Sequence, residues 1–452
     1  MNAIVPHPES HQQFRRPVQL AALKELLCDS EIEIICGQLG HTWRHRELPP
    51  GTTVRSLVYR SLHPDKSIQA LLADLAAAKE QTGSGVSDSA WCQARSRLPH
   101  ELWPILIRRS SDRVVDLVGN QYLYRGRPVF IADGSTLSMP DTTELVEAFG
   151  YANTKHGLSR FPVARVTFIV RSGVEAILDY RLGAYRTSED AQLRQMWDRI
   201  PKDAILILDK RFGSFYNLAK LSQGRVDVIV PLHQRRDAAR LIAKGKSLGS
   251  NEWIVKFDLS PQSRKMYDDP SLPRYLAVRL IRVGFLKNGK RRQMWLVTTL
   301  LDSQEHPRAR IIALYRSRWG IETRIGSVKT TLEMSVLRSK GPKAVRYEVA
   351  ATVLAYNLAW TVIHQAARRT RTPADRISFA HSIKAILAFS TVLRNASGSE
   401  RTALYHQMLD NIAGHTNLHR PGRVEPRLIK REVRRYGLLR MRRDKARELC
   451  LS

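Results

Sequence analysis

Four polar residues in the last third of the chain share one face of a predicted helix. They occupy offsets of 0, 3, 7 and 14 within residues 311–332: Tyr315, Arg318, Glu322 and Lys329. At about 100° per helical residue, these positions fall within a sector of roughly 60°. One carboxylate, two cations and a phenol on such a line can hold a phosphate group and a metal ion together. The alternative is a solvent-exposed helix with incidental charge pairs.

Two aspartates that follow apolar runs could complete a metal site with the glutamate. Asp133 follows the run 129–132, and Asp209 follows the run 204–208. Both runs predict buried strands, each of which would deliver a carboxylate at its end. The alternative is that Asp133 is a turn or capping residue. The segment GSTLSMPDT after it is predicted to be a loop, in which Asp141 is the rival carboxylate.

The chemistry that these residues suggest is cleavage of a phosphodiester, which needs an activated water or hydroxyl group and neutralisation of charge on phosphate oxygens. Two divalent ions about 4 Å apart supply both, and Mg²⁺ prefers oxygen ligands. Asp133, Asp209 and Glu322 fit such a site as catalytic and metal-binding residues, with Mg²⁺ as the expected ion and Mn²⁺ as a substitute. The four cysteines and 14 histidines do not have the spacing of a zinc site.

The spacing of the four polar residues is more specific than their geometry. Tyr, two residues, Arg, three residues, Glu, six residues, Lys resembles the signature of bacterial insertion-sequence transposases of the IS-four type. These belong to the DDE class and have an RNase H-like catalytic core. Trp319 follows the arginine here, as it often does in that family. The resemblance implies two aspartates on strands, a basic DNA-binding surface and an insertion before the glutamate.

The segments around the two aspartates also resemble that family. The strand, Asp and Gly at 129–134 are similar to its first catalytic segment, and LDKRFGSF is similar to its second. Lys210 and Arg211 both follow the second aspartate, where relatives usually have one basic residue. The sequence leaves open which of them contacts DNA. Arg318, Lys329 and Tyr315 would hold phosphates beside the cleavage point, the arginine through a bidentate fork.

The resemblance further implies a tryptophan that receives a base flipped out of the DNA during hairpin formation. It lies in the insertion shortly before the tyrosine, where Trp295 stands 20 residues ahead of Tyr315. Trp253 is the second candidate. A core tryptophan is the alternative interpretation.

The charge of the chain indicates a polyanionic partner. The 452 residues carry a net charge of +31 with a pI near 10.5, so double-stranded DNA is the expected partner. A membrane surface is the alternative, but the most apolar run, 349–363, is shorter than the roughly 20 residues of a bilayer span. The first 13 residues, MNAIVPHPESHQQ, have no apolar core of the kind that a signal peptide needs. We therefore expect a bacterial cytoplasmic protein associated with the nucleoid and not with membranes.

The C-terminal segment is the most basic part of the chain. Between Arg420 and Arg447 it has twelve Lys and Arg against three acidic residues. Four of these arginines are candidate DNA contacts: Arg434, Arg435, Arg442 and Arg443. Such a segment can follow phosphates of either strand, whereas a solvated tail without a partner is the alternative.

The predicted fold is α/β, an RNase H-like catalytic core with a β-rich insertion between helical ends. Residues 1–120 form a helical DNA-binding or supporting domain, residues 121–234 the first part of the core, and residues 304–370 its second part. The insertion, residues 235–303, has strand patterns at 253–259, 275–285 and 293–300. Residues 371–452 form C-terminal helices and the basic tail.

These features together predict a DDE transposase. It would bind the terminal inverted repeats of its element, bring them together as a homodimer, cut at the element boundary and join the 3′ hydroxyl to target DNA by a cut-and-paste route. One alternative is a DNA-binding regulator without activity, but three retained carboxylates repel one another unless metal is bound. Another alternative, a sequence-tolerant nuclease, leaves the tyrosine and arginine pattern unexplained.

Overall fold

The structure, a computed structural model, describes residues 27–44, 47–77, 86–154, 157–287, 290–417, 445 and 448–449. These residues divide into two compact units. Unit 1 consists of described residues up to 117 and from 347 to 417, and unit 2 is built mainly of residues 118–346. The domain boundaries predicted from the sequence stay predictions.

The first part of unit 1 is helical. Its helices α1 to α5 are Asp29–Gln38, Pro50–Leu62, Ile68–Ala77, Asp88–Arg97 and Leu102–Val118. Trp91 of α4 is fully buried, and its indole N–H donates a hydrogen bond of 2.8 Å to Ser56 of α2. A buried indole needs such a partner, and this one fixes α4 against α2.

Unit 2 contains a ten-stranded sheet within the residues that the structure describes. Its strands β1 to β10 are Val129–Ser138, Tyr151–Thr154, Gly157–Arg171, Ile177–Ala184, Ile205–Leu208, Asp227–Pro231, Lys246–Gly249, Glu252–Asp258, Tyr275–Lys287 and Lys290–Thr298. The order is β2-β3-β1-β5-β6-β10-β9-β8-β7, and β4 also pairs with β3. Strands β1, β5 and β6 are parallel neighbours, and the other pairs are antiparallel.

The strands predicted in the insertion are confirmed as β8, β9 and β10. Strand β10 pairs with β6, so the insertion continues the central sheet. The hairpin positions 288–289 of the KNGK turn lie outside the described residues.

The first predicted strand is longer than its apolar run. Residues 134–138, predicted as the start of a loop, continue β1, so that part of the prediction is wrong. Strand β3 supplies the reason, because its antiparallel pairing with β1 runs from Phe130 to Ser138. The parallel pairing of β1 with β5 ends earlier, at Ala132 and Leu208.

Seven helices flank the sheet of unit 2 among the described residues. They are α6 to α12: Thr143–Phe149, Glu189–Arg194, Phe215–Gln223, Ala238–Ala243, Pro261–Tyr267, Arg308–Ser317 and Trp319–Thr330. Alternate side chains of β5 and β6, including Leu206, Leu208 and Val228, pack with Phe215 and Leu218 of α8 in one apolar core. Burial of this surface from water holds the central strands in place.

Three helices complete the described chain. They are α13 to α15: Pro342–Thr370, Phe379–Asn395 and Gly398–Gly414. Asn357, which interrupts the apolar run of α13, is fully buried and donates 3.0 Å to the hydroxyl of Ser110 on α5. None of the described helices has both the length and the apolar content to span a membrane. Four arginines of the basic segment lie outside the described residues: Arg434, Arg435, Arg442 and Arg443.

Candidate active site

Asp133 and Asp209 come directly after the last residue pair that joins β1 to β5. That pair is Ala132 and Leu208, in parallel register. Neighbouring strands lie about 4.8 Å apart, so the two aspartates start from adjacent points of the sheet. Asp209 leaves its strand into a 3₁₀ turn, Lys210–Phe212, whereas Asp133 remains in β1.

The carboxyl group of Asp133 lies in a partly buried, charged environment. Burial raises its pKa, and the charges of Asp209 and Glu189 raise it further. Two groups act in the opposite direction and lower the pKa: the backbone N–H of Gly134, which donates to Oδ1 at 2.8 Å, and the nearby guanidinium of Arg318. The net result is a raised pKa. Asp209 acts through its negative charge, because a neighbouring like charge disfavours ionisation of Asp133.

The predicted helix of four polar residues consists of two consecutive helices. Helix α11 ends at Ser317 and α12 begins at Trp319, with Arg318 between them in helical conformation. The Nη1 atom of Arg318 lies 3.7 Å from Oδ2 of Asp133. Burial lowers the pKa of Arg318, but Tyr315, Asp209 and Asp133 outweigh this and raise it. The Arg318 guanidinium therefore lies beside Asp133, and the negative charges near it favour its charged form.

The other end of the polar line also reaches β1. The Nζ atom of Lys329 donates a hydrogen bond of 3.1 Å to the hydroxyl of Ser135. Tyr315 is mostly buried, and its ring centre lies 5.9 Å from the guanidinium carbon of Arg318. The structure therefore brings Arg318 and Lys329 to the strand that carries Asp133, and Tyr315 lies beside Arg318.

Glu322 lies in the first turn and a half of α12, between Arg318 and Lys329 along the chain. Its backbone is described, but its side chain is not. Helix α12 packs against β1. The helix that carries the third predicted carboxylate is therefore next to the strand that carries the first.

One carboxylate beside Asp133 was missed by sequence reasoning. Glu189, the first residue of α7, lies so close to Gly134 that a Cβ on this glycine would be 2.6 Å from Oε1 of Glu189. Arg165 of β3 has its Nη1 atom 3.7 Å from the same oxygen. The glycine after Asp133 was a signal for a close neighbour, but nothing in the sequence pattern identifies that neighbour.

The remaining candidate residues near the aspartates have different surroundings. Lys210 donates a hydrogen bond of 3.3 Å to the side-chain oxygen of Gln234, and the side chain of Arg211 is exposed. Asp141, the rival carboxylate, accepts a hydrogen bond of 2.8 Å from the hydroxyl of Tyr151. Asp141 therefore has a partner of its own, away from the register position of the aspartate pair.

The two candidate tryptophans lie together in the extension of the sheet. The ring centres of Trp295 and Trp253 are 5.7 Å apart, and both side chains pack against the apolar core of unit 2 while remaining partly exposed. The guanidinium of Arg282 lies 5.9 Å from the ring centre of Trp295. A partly exposed aromatic ring with a cation beside it is compatible with stacking of a base, and the packing is equally that of a core residue.

The residues that the structure brings together suit a hard divalent cation. Asp133 and Asp209 offer carboxylate oxygens from adjacent strand positions, and their repulsion is the electrostatic state that a bound cation would relieve. Among the described side chains, which do not include that of Glu322, no group of three His, Cys, Asp or Glu residues forms a metal site by itself. The third predicted carboxylate, Glu322, belongs to helix α12, which packs against β1.

The chain is similar to proteins named as transposases. A family model described as a transposase DDE domain matches residues 124–358, just over half of the 452 residues. The transposase InsG for insertion sequence element IS4, from Escherichia coli strain K12, is 25% identical over 79% of this chain and 79% of its own length. The putative transposase InsZ from the same strain is 32% identical over 30% of this chain and 46% of its own length. With the matched region containing both aspartates and the tyrosine, arginine, glutamate and lysine series, the chain belongs to the IS4-type family of DDE transposases.

Proposed function

We propose that this chain cleaves DNA at the ends of an insertion sequence in the presence of Mg²⁺ and transfers the freed 3′ hydroxyl to target DNA. The observation that carries the proposal is that Asp133 and Asp209 follow paired positions of adjacent strands, Arg318 lies beside Asp133, and Lys329 bonds to Ser135 of the same strand. Two carboxylates for metal and two cations for phosphate are the groups that phosphoryl transfer requires. Glu322, on the helix between those cations, is the third catalytic carboxylate of this proposal.

The strand order supports an RNase H-like core for this chemistry. The strands β4-β3-β1-β5-β6 lie side by side, with antiparallel pairs on one side of β1 and parallel pairs on the other. Such an arrangement supplies two adjacent strand positions for carboxylates in the middle of the sheet. A helix packed across them then supplies the third.

The chemistry of each side chain determines the role that we propose for it. Asp133, Asp209 and Glu322 would hold two Mg²⁺ or Mn²⁺ ions, which when bound activate the attacking oxygen and neutralise charge on the phosphate. Arg318 is held in place by its environment and can present two N–H groups to a phosphate. Lys329 provides a point charge beside Ser135, and Tyr315 a hydroxyl group. No side-chain nucleophile is needed.

The partners in this proposal are the terminal inverted repeats, target DNA and a second copy of the chain. The net charge of +31 supports a polyanionic partner. Joining two ends to one target requires two active sites, which supports a homodimer that holds both ends. The place of action would be the bacterial cytoplasm, at the nucleoid.

The function is tested by incubating the purified chain with Mg²⁺ and DNA that carries the element's own ends and flanks. We expect strand breaks at the element boundary on a denaturing gel and joined products with target DNA. Binding without breaks in either Mg²⁺ or Mn²⁺ would instead indicate the inactive DNA-binding regulator. Equal cleavage of DNA that lacks the ends would indicate a sequence-tolerant nuclease.

Replacing Trp295 should separate the first cut from the second. If excision passes through a hairpin, a base must leave the stack at a cost of a few kcal/mol. Stacking on an aromatic ring returns about 1 to 3 kcal/mol, so Trp295→Ala should reduce hairpin ends by roughly tenfold or more while first-strand nicks persist. Trp253→Ala is the comparison variant. Undiminished hairpins from Trp295→Ala, or none from the wild type, would contradict this role.

The charge of Arg318 should set the pH at which metal binding is lost. Metal binds the ionised carboxylate of Asp133, so binding disappears as the pH falls through the raised pKa of this group. Arg318→Met removes a cation that lowers this pKa, so the midpoint of the acidic limb should move to higher pH. Titration of Mn²⁺ binding by calorimetry measures it, with Arg318→Lys as the charge-retaining control. An unmoved midpoint in Arg318→Met would show that the arginine does not act on Asp133.

A further inference from the structure

Helix α12 is tied to the sheet by an ion pair that does not involve the candidate catalytic residues. Arg324 donates two hydrogen bonds to Glu175, from Nε to Oε2 at 2.5 Å and from Nη2 to Oε1 at 2.8 Å. The Glu175 side chain is 8% exposed and that of Arg324 is 21% exposed. A planar fork on a carboxylate fixes orientation as well as distance, because both bonds are satisfied in one geometry only.

The turn between β3 and β4 presents the carboxylate in a defined position. Glu175 has a φ of +64°, in the left-handed region that residues other than glycine seldom adopt. The same carboxylate accepts a hydrogen bond of 3.2 Å from the backbone N–H of Gly173. The backbone N–H of Glu175 donates a hydrogen bond of 2.8 Å to the carbonyl oxygen of Arg171. Bonds to both its backbone and its side chain therefore hold Glu175 in this conformation.

A glycine on α12 makes room for the arginine. A Cβ on Gly320 would lie 3.0 Å from Cζ of Arg324 and closer still to Nη1. Gly326, on the same helix, would have nothing within 4 Å of its Cβ. Glycine weakens a helix at either position, but only at Gly320 does its missing side chain let the Arg324 guanidinium lie against the helix.

The ion pair between Arg324 and Glu175 can serve as an anchor, a contact that holds in place the helix α12 that carries Glu322. Residues 322 and 324 are about 160° apart around the helix, so the ion pair holds the face nearly opposite Glu322. Lys329 ties the same helix to β1 through Ser135. Two separate contacts with the sheet therefore restrict both the rotation and the axial position of α12.

We propose that Glu175 and Arg324 are positioning residues that hold α12 so that Glu322 meets the metal ions at Asp133 and Asp209. The proposal rests on the proposed function for the role of Glu322. Its physical basis is that a metal site tolerates little displacement of a ligand, and a helix that can rotate carries its ligand out of place. Glu175 and Arg324 themselves do not contact the reacting groups in this proposal.

The matched pair Gly320→Ala and Gly326→Ala tests the anchor without removing a charge. Both substitutions favour the helix, so neither is expected to weaken it. Gly320→Ala displaces the guanidinium, and we expect the affinity for Mn²⁺, measured by calorimetry without DNA, to fall by about tenfold, with a similar fall in end cleavage. Gly326→Ala should keep wild-type values. Equal Mn²⁺ affinity in the two variants would overturn the proposal.

A second set of variants tests the ion pair directly. Arg324→Lys keeps the charge but not the fork, and should lower Mn²⁺ affinity at a temperature where circular dichroism shows the chain folded. Arg225→Lys is its control, because Arg225 makes a forked pair with Asp203 on the exposed surface. Wild-type Mn²⁺ affinity in Arg324→Lys would also overturn the proposal. A wild type that binds Mn²⁺ but never cleaves would remove the proposed function, while the binding comparison would still decide the anchor.

Discussion

Asp133→Asn, Asp209→Asn and Glu322→Gln should each reduce cleavage at the element ends at least about 1,000-fold, which corresponds to about 4 kcal/mol of transition-state stabilisation. Each change keeps the shape of the side chain and removes the charge that binds metal. We expect a large loss because, in the proposed site, both ions would depend on the same small set of oxygens, and one missing ligand would disturb the whole site. Binding to the ends should change by less than about threefold, since the phosphate contacts come from cations.

Asp141→Asn is the matched control for this experiment. It removes a carboxylate from the same stretch of chain, but one that accepts its hydrogen bond from Tyr151. Cleavage by this variant should stay within about threefold of wild type, the range expected for a surface change without a catalytic part. Normal cleavage by any of the three catalytic variants would remove that residue from the site. Loss of end binding together with cleavage would point to misfolding.

Removal of residues 420–452 should have the second largest effect, on the salt dependence of DNA binding. The segment 420–447 has twelve cations, and if about half of them contact phosphates, the slope of log affinity against log salt becomes less negative by about 5. Between about 50 and 200 mM salt, the wild type would then lose roughly a thousandfold more affinity than the truncated chain. The preferred sequence should not change, because phosphate contacts carry no sequence information.

A chain with the same tail composition in scrambled order is the control for the truncation. It should keep the wild-type slope, because counterion release depends on the number of neutralised phosphates. A milder variant replaces four arginines with glutamine: Arg434, Arg435, Arg442 and Arg443. It should produce about a third of the full effect, in proportion to the charge removed. An unchanged slope after truncation would show that the tail does not contact DNA.

The sequence predicted Asp133 and Asp209 as a pair because each directly follows an apolar run that by itself predicts a buried strand. An apolar run followed by a carboxylate predicts a strand from local residues alone, without knowledge of its neighbours in the sheet. The runs 129–132 and 204–208 both have this pattern. The sequence did not predict that β1 continues to Ser138, since this depends on pairing with β3. Gly134, Ser135 and Thr136 resemble a loop by composition, and only the neighbouring strand makes them part of a sheet.

The contacts that surround the pair could not be predicted for a related reason. Glu175 and Arg324 are separated by 149 residues, and no periodicity links positions so far apart. The approach of Glu189 to Gly134 is also a product of packing. Gly134 and Gly320 each lie where another side chain comes close to the backbone, but a glycine in the sequence does not identify that side chain. Sequence pattern therefore identified residues on single elements, while the structure was needed for pairs from different elements.

We propose that Asp209 and Asp133 together hold a hard metal ion used for cleavage, and a change of ligand softness tests this role most directly. In Asp209→Cys a thiolate replaces a carboxylate, and thiolates bind Mg²⁺ poorly but accept softer ions such as Mn²⁺. The measurement is the rate of end cleavage by this variant in Mg²⁺ and in Mn²⁺, each relative to wild type. We expect no detectable cleavage in Mg²⁺ and partial recovery in Mn²⁺. Equal relative rates in the two metals would contradict a metal-binding role for Asp209.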